Sequence, residues 1–114
     1  MTRPRVAVVG GGPAGATAAR LLAGWGHGVV LVTRRADPSA AIAESLPPSC
    51  RRLFRHLGIE GAVDAAGFLP STGNTVWWGS PQARVEWFPH GETGWQVWST
   101  SLEELLLALA AKAG

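Results

Sequence analysis

The sequence predicts an α/β fold built on a parallel βαβ unit, and three observations predict it. Val6-Ala7-Val8-Val9 and Val29-Val30-Leu31-Val32 are short apolar runs rich in β-branched residues, the pattern of strands buried on both faces of a parallel sheet. The first run leads straight into Gly10-Gly11-Gly12-Pro13-Ala14-Gly15, a G-x-G-x-x-G turn. An alanine-rich stretch from Ala16 to Ala23 follows and reads as a helix. Strand, tight turn and helix in this order form a dinucleotide-binding layout, closed by a right-handed crossover to the second strand.

The glycines carry separate tasks. Gly10 permits a sharp exit from the strand, Gly12 lets the backbone approach a diphosphate, and Gly15 lets helix and strand pack closely. A helix starting at Pro13 presents unpaired N–H groups and a partial positive charge to an anion. Gly10, Gly12, Pro13, Ala14 and Gly15 are therefore the expected cofactor-binding residues of the turn. The first strand is expected over Arg5–Val9 and the helix over Pro13–Ala23, stopped by Gly24-Trp25-Gly26-His27-Gly28.

The second strand ends at Thr33-Arg34-Arg35. Dinucleotide folds usually place Asp or Glu there, to accept hydrogen bonds from ribose hydroxyls. Thr33 can bond a ribose oxygen with its hydroxyl, and Arg34 or Arg35 can stack on adenine or meet a 2′-phosphate. The last option leaves an NADP reading open.

Residues 36–43 read as a loop. Glu44-Ser45-Leu46-Pro47-Pro48-Ser49 leads into a helix reaching about Leu57, with Cys50, Leu53, Phe54 and Leu57 on one apolar face. Gly58 ends that helix, and Ile59 to Ala66 suggests another short turn of helix. Residues 70–98 change character: Val and Trp sit among Gly, Pro, Ser and Asn, which predicts short antiparallel strands with a turn at Ser80-Pro81-Gln82. Five of the six tryptophans lie here, expected to cover the sheet and build the core; an aromatic wall of a substrate or flavin pocket is the alternative. The last helix is expected from about Ser101 to Lys112, with Ser101-Leu102-Glu103-Glu104 as a capping box, so that Glu103 and Glu104 serve the helix terminus.

A chain of 114 residues with 46% hydrophobic content suits a single domain. The net charge of +2 hides an asymmetry: residues 1–55 balance at +6 and residues 56–114 at −4. A basic half around a diphosphate site fits an anionic cofactor, although solvated arginines give the same sum. No Lys/Arg-rich run with interleaved aromatics is present, so no nucleic-acid partner is expected. His27, His56 and His90 lack metal-ligand spacing, and no nucleophile–base pair stands out. Cys50 stands alone, so an intrachain disulfide is impossible and a reducing, cytoplasmic setting is expected. Gly10 to Gly12 break the first apolar run too early for a secretion signal, and Arg20 ends any stretch long enough to span a bilayer.

Two stretches at this spacing resemble the superfamily of FAD-dependent monooxygenases, geranylgeranyl reductases and tryptophan halogenases. They are Val6 to Gly15 with its helix, and Glu44 to Ser49 leading into Leu53-Phe54-Arg55-His56-Leu57-Gly58-Ile59. Gly94-Trp95-Gln96-Val97 before the leucine-rich helix is a third match. The resemblance spans nearly the whole chain but only the N-terminal portion of such an enzyme. It implies a Rossmann-like FAD-binding βαβ unit with an inserted antiparallel segment: residues 1–69 for FAD, 70–98 from a substrate domain, and 99–114 returning to the FAD-binding part. FAD would lie with its diphosphate at Gly10, Gly12 and Gly15, and a loop at Glu44 and Ser45 near its ribityl and flavin end.

The sequence departs from that pattern at Thr33, in place of the acidic ribose ligand, and at Ser99, where the family commonly has Arg. Lys112 is the only lysine and sits in the last helix, whereas halogenases carry theirs in the middle of this stretch, so halogenation is not expected. The family's later Gly-Asp motif and a third parallel strand do not follow, and the chain reads as truncated. The function implied is the FAD-binding part of a flavin-dependent oxidoreductase, monooxygenase-type, acting on a small organic substrate with NAD(P)H as a candidate electron donor. The alternatives are an NAD(P)-dependent oxidoreductase and a non-catalytic remnant that no longer binds flavin.

Overall fold

The computed structural model describes residues 4–35 and 37–113. Strands β1 (Arg5–Val9) and β2 (Gly28–Val32) pair in parallel, with Val6 opposite Val29 and Val8 opposite Leu31. Helix α1 (Pro13–Gly24) joins them. The expected βαβ unit is therefore present, with bounds matching within a residue. Burial along both strands alternates instead of running continuously. The face with Val8, Val29 and Leu31 lies toward α1, whereas Val9, Val30 and Val32 point the other way and are exposed.

A single 3-10 turn at Pro38–Ala40 interrupts the stretch expected to be loop, capped by Asp37, whose Oδ1 accepts from the Ser39 amide at 3.0 Å and from its hydroxyl at 2.7 Å. Then come β3 (Ala43–Leu46), α2 (Cys50–His56), α3 (Glu60–Ala65), β4 (Leu69–Ser71), β5 (Gly73–Val76), β6 (Arg84–Trp87), β7 (Gly94–Trp98) and α4 (Ser99–Ala111). β7 is the middle strand of an antiparallel sheet ordered β3-β7-β4. β5 and β6 form a separate hairpin, whose connection carries Gly79 at φ +69° and a Gln82 amide donating to Ser80 Oγ at 3.1 Å.

Three expectations are corrected. Glu44 and Ser45 belong to a strand, not a loop: they pair with Val97 and Gln96 of β7, and the Ser45 hydroxyl meets the Gln96 side chain. The apolar β7 must satisfy its backbone on both edges, and this tertiary demand overrides the weak strand propensity of Ala-Glu-Ser. Helix α4 starts at Ser99 and has no side-chain cap, so the Ser101–Glu104 capping box does not form. Its start is fixed from outside: the Ile42 amide donates to Ser99 Oγ at 3.0 Å, and the Ser99 amide donates to the Ile42 carbonyl at 2.8 Å. Of the five tryptophans in residues 70–98, only Trp95 is buried; Trp77, Trp78, Trp87 and Trp98 are exposed, as is Leu53 on α2.

The core lies between the antiparallel sheet and the helices. Phe54 and Leu57, Ile59 and Val63, Trp95 and Val97, and Leu102 and Leu106 pack together with Ala16 of α1. The Phe54 and Trp95 rings stand 5.6 Å apart at a tilt of 53°. The Arg51 guanidinium sits 4.6 Å over the Trp95 ring while it pairs with Glu60 and Asp64 at 3.1 Å each. Arg20 of α1 donates to the Leu57 carbonyl at 3.1 Å and the Leu109 carbonyl at 2.6 Å. One cation thus serves the carboxyl ends of α2 and α4, where the helix dipoles favour positive charge.

Candidate cofactor-binding site

The glycine turn assigns different constraints to its members. Gly10 has φ +111°, a conformation open to glycine and strained for other residues. A Cβ on Gly15 would overlap the Gly10 carbonyl oxygen, so this pair lets α1 start directly against the end of β1. A Cβ on Gly11 would overlap the Thr33 side chain, a contact that ties the turn to the end of β2 and that the sequence pattern alone does not reveal. Gly12 differs from all three. Its φ of −72° suits any residue, and a Cβ there meets nothing within 4 Å.

Gly12 is also the N-cap of α1, and Pro13 begins the helix. No side chain caps this terminus and no acidic residue stands in its first turn. The amide donors there are left to a ligand, and the field favours an anion. A diphosphate fits these features: the space beside Gly12 is open, the donors are backbone, and the chain itself gives no other reason for glycine at that position.

A cavity of about 820 Å³ opens at this turn. Gly10, Gly11 and Gly12 line it from β1, Thr33, Arg34 and Arg35 from the end of β2, and Ser99, Thr100 and Glu103 from α4. The predicted residues Gly10, Gly12, Thr33 and Arg34 thus come together. The Thr33 hydroxyl donates to the Arg34 carbonyl at 3.2 Å. Asp37 also lines the cavity, and its two bonds from Ser39 hold its carboxyl below the usual aspartate range. The contributions of Thr100 and Glu103 were hidden in the sequence because the capping-box pattern placed the helix start two residues late. With the start at Ser99, Ser99 and Glu103 stand at i and i+4 on one face.

Glu44, Ser45 and Pro13 line a second cavity of about 460 Å³, with Thr17, Leu46, Cys50, Leu53, Phe54, Leu102 and Leu106. Burial pushes the Cys50 thiol pKa up. Pro13 at the start of α1 therefore stands beside a more apolar compartment, while Gly12, one residue before, faces the polar one. Ala14 and Gly15 occupy the first turn of α1 and line neither cavity. Among the described residues, no group of three His, Cys, Asp or Glu side chains could hold a metal ion, and no helix is long and apolar enough to cross a membrane.

The chain is similar to a tryptophan 2-halogenase of Chondromyces crocatus, 38% identical over 111 residues, which are 96% of this chain and 21% of that protein. It is 34% identical over 113 residues to a flavin-dependent halogenase of Armillaria mellea, covering 96% of this chain and 22% of the relative. The chain thus spans about a fifth of the length of these curated relatives. Among solved structures, the myxobacterial chondrochloren halogenase CndH superposes with a TM-score of 0.85 at 30% identity, covering 100% of this chain and 28% of that one. The 2-methyl-3-hydroxypyridine-5-carboxylic acid oxygenase superposes with a TM-score of 0.73 at 27% identity, covering 96% and 29%. Halogenases and an oxygenase share this segment, so the likeness extends across both kinds of enzyme. The family model described as FAD binding domain matches residues 3–114. A capless helix behind a glycine turn, and a family match over residues 3–114, agree: the chain belongs to the FAD binding domain family.

Proposed function

We propose that the chain provides the diphosphate- and ribose-binding segment of a flavin-dependent oxidoreductase of the monooxygenase type. The observation that carries this reading is Gly12, a glycine with ordinary backbone angles and open space beside it, at the uncapped start of a helix. FAD supplies the redox chemistry when bound. The chain's own residues bind and orient it: the first-turn amides of α1 hold the diphosphate, Thr33, Arg34 and Arg35 meet the adenosine end, and Pro13, Glu44 and Ser45 stand toward the flavin end. Residues 1–69 and 99–114 make up the FAD-binding part and residues 70–98 face a small organic substrate. NAD(P)H is the electron donor, in a cytoplasmic setting.

Titration of the chain with FAD, NADH and NADPH, followed by calorimetry and flavin fluorescence, tests the reading. It predicts one FAD per chain and much weaker binding of both nicotinamide cofactors. Preferential binding of NADPH would reverse it in favour of Arg34 as a 2′-phosphate ligand.

A further inference from the structure

We propose that Glu103, on α4, supplies the carboxylate that accepts hydrogen bonds from the adenosine ribose hydroxyls of FAD. This rests on the reading of the larger cavity as the FAD site.

Ribose recognition in dinucleotide folds calls for an ionised acceptor near the end of the second strand. Here that strand ends in Thr33, and the Thr33 hydroxyl proton is directed at the Arg34 carbonyl. Two carboxylates line the cavity, Asp37 and Glu103. Asp37 is engaged in capping the 3-10 turn, accepting two bonds from Ser39 on one oxygen. Glu103 is half-buried and, among the described residues, has neither a hydrogen-bond nor an ion-pair partner for its side chain. It lies one turn into α4, beyond the helix's first turn, so the dipole gives it little to do.

An unpaired carboxylate facing a site for a dianionic diphosphate is costly unless it meets donors. The ribose hydroxyls are the donors that the adenosine end of FAD offers on the side of Thr33. Arg34 and Arg35 line the same cavity and offset the repulsion between Glu103 and the phosphates. The position of α4 is fixed by the Ser99–Ile42 bonds and by Leu102 and Leu106 in the core, which presents Glu103 on a rigid element.

The test uses the chain and its Glu103→Gln variant, each titrated with FAD and with an FAD carrying 2′,3′-dideoxyadenosine. Gln matches Glu in size and helix propensity, so an unchanged unfolding curve is expected. The variant should bind FAD about tenfold more weakly, the effect of replacing a charge-assisted bond by a neutral one. The dideoxy analogue should bind the unaltered chain about tenfold more weakly than FAD, with no further loss in the variant. Equal affinity of the unaltered chain for FAD and the analogue overturns the assignment, as does unchanged or tighter FAD binding by Glu103→Gln. An equal loss for both flavins in the variant also overturns it, since that marks a role away from the ribose. Failure of the unaltered chain to bind either flavin overturns the cavity's reading and this inference with it.

Discussion

The carbonyl oxygen of Gly10 occupies the place that a Cβ on Gly15 would take. This contact joins the exit of β1 to the first turn of α1 and leaves no room for adjustment by a flexible side chain. Gly15→Ala should destabilise the fold by about 1–3 kcal/mol, as overpacking against backbone does. Urea denaturation checks it, and an unchanged midpoint would show that the turn is looser than this geometry.

Arg20 ties α1 to the Leu57 and Leu109 carbonyls, 37 and 89 residues away in the sequence. Arg20→Met keeps the apolar stem and removes both charge-assisted bonds, leaving two helix-end carbonyls to find water. A loss of about 2–3 kcal/mol in unfolding free energy is expected, with FAD affinity changed less than twofold. A large loss of FAD affinity at unchanged stability would place Arg20 in the site instead.

Thr33 stands where an acidic ribose ligand is usual, and it lines the cavity beside Arg34. Thr33→Glu should tighten FAD binding by up to about 1–2 kcal/mol, since a carboxylate replaces a hydroxyl as acceptor. The same change should abolish any preference for NADP over NAD. Calorimetry with the three nucleotides measures both effects; no change in any affinity would remove Thr33 and Arg34 from the ribose end.

Glu60 receives Arg55 at 3.0 Å and Arg51 at 3.1 Å, and these bonds, with Arg55 first, hold its carboxyl below the usual glutamate range. A depressed pKa in the folded state means that the contribution is complete above the ordinary value and fades as pH falls through the depressed one. Stability should therefore drop below about pH 4.5, and Glu60→Gln should flatten that part of the curve. An acid limb as steep in Glu60→Gln as in the parent would assign the loss to other carboxyls, Asp37 among them.

The βαβ unit was legible because its signals are local: two β-branched runs, a glycine turn and an alanine-rich helix, each within a dozen residues. The backbone roles of Gly10 and Gly15 were legible too, although the contact between Gly11 and Thr33 spans the crossover and needs the fold to be seen. What the sequence concealed depends on tertiary pairing. Ala43 to Leu46 becomes a strand only because β7 needs a partner, and α4 begins at Ser99 because Ile42 bonds to it from 57 residues away. That shift of two residues moved Glu103 from an apparent cap into the cavity. Strand-like burial on both faces was expected of Val30 and Val32, yet α1 covers one side of the parallel pair and these residues point to the other.

Gly12 tests the central claim most directly, because the fold itself does not require glycine there. A valine at this position adopts an ordinary φ and its Cβ meets nothing within 4 Å, so Gly12→Val should unfold near the parent's midpoint. Its side chain stands where the FAD diphosphate approaches the amides of α1. FAD titrated against parent and Gly12→Val should bind the parent one to one and bind the variant at least about a hundredfold more weakly, as expected when a blocked approach loses several hydrogen bonds to a charged group. A folded Gly12→Val protein with the parent's FAD affinity would contradict the account.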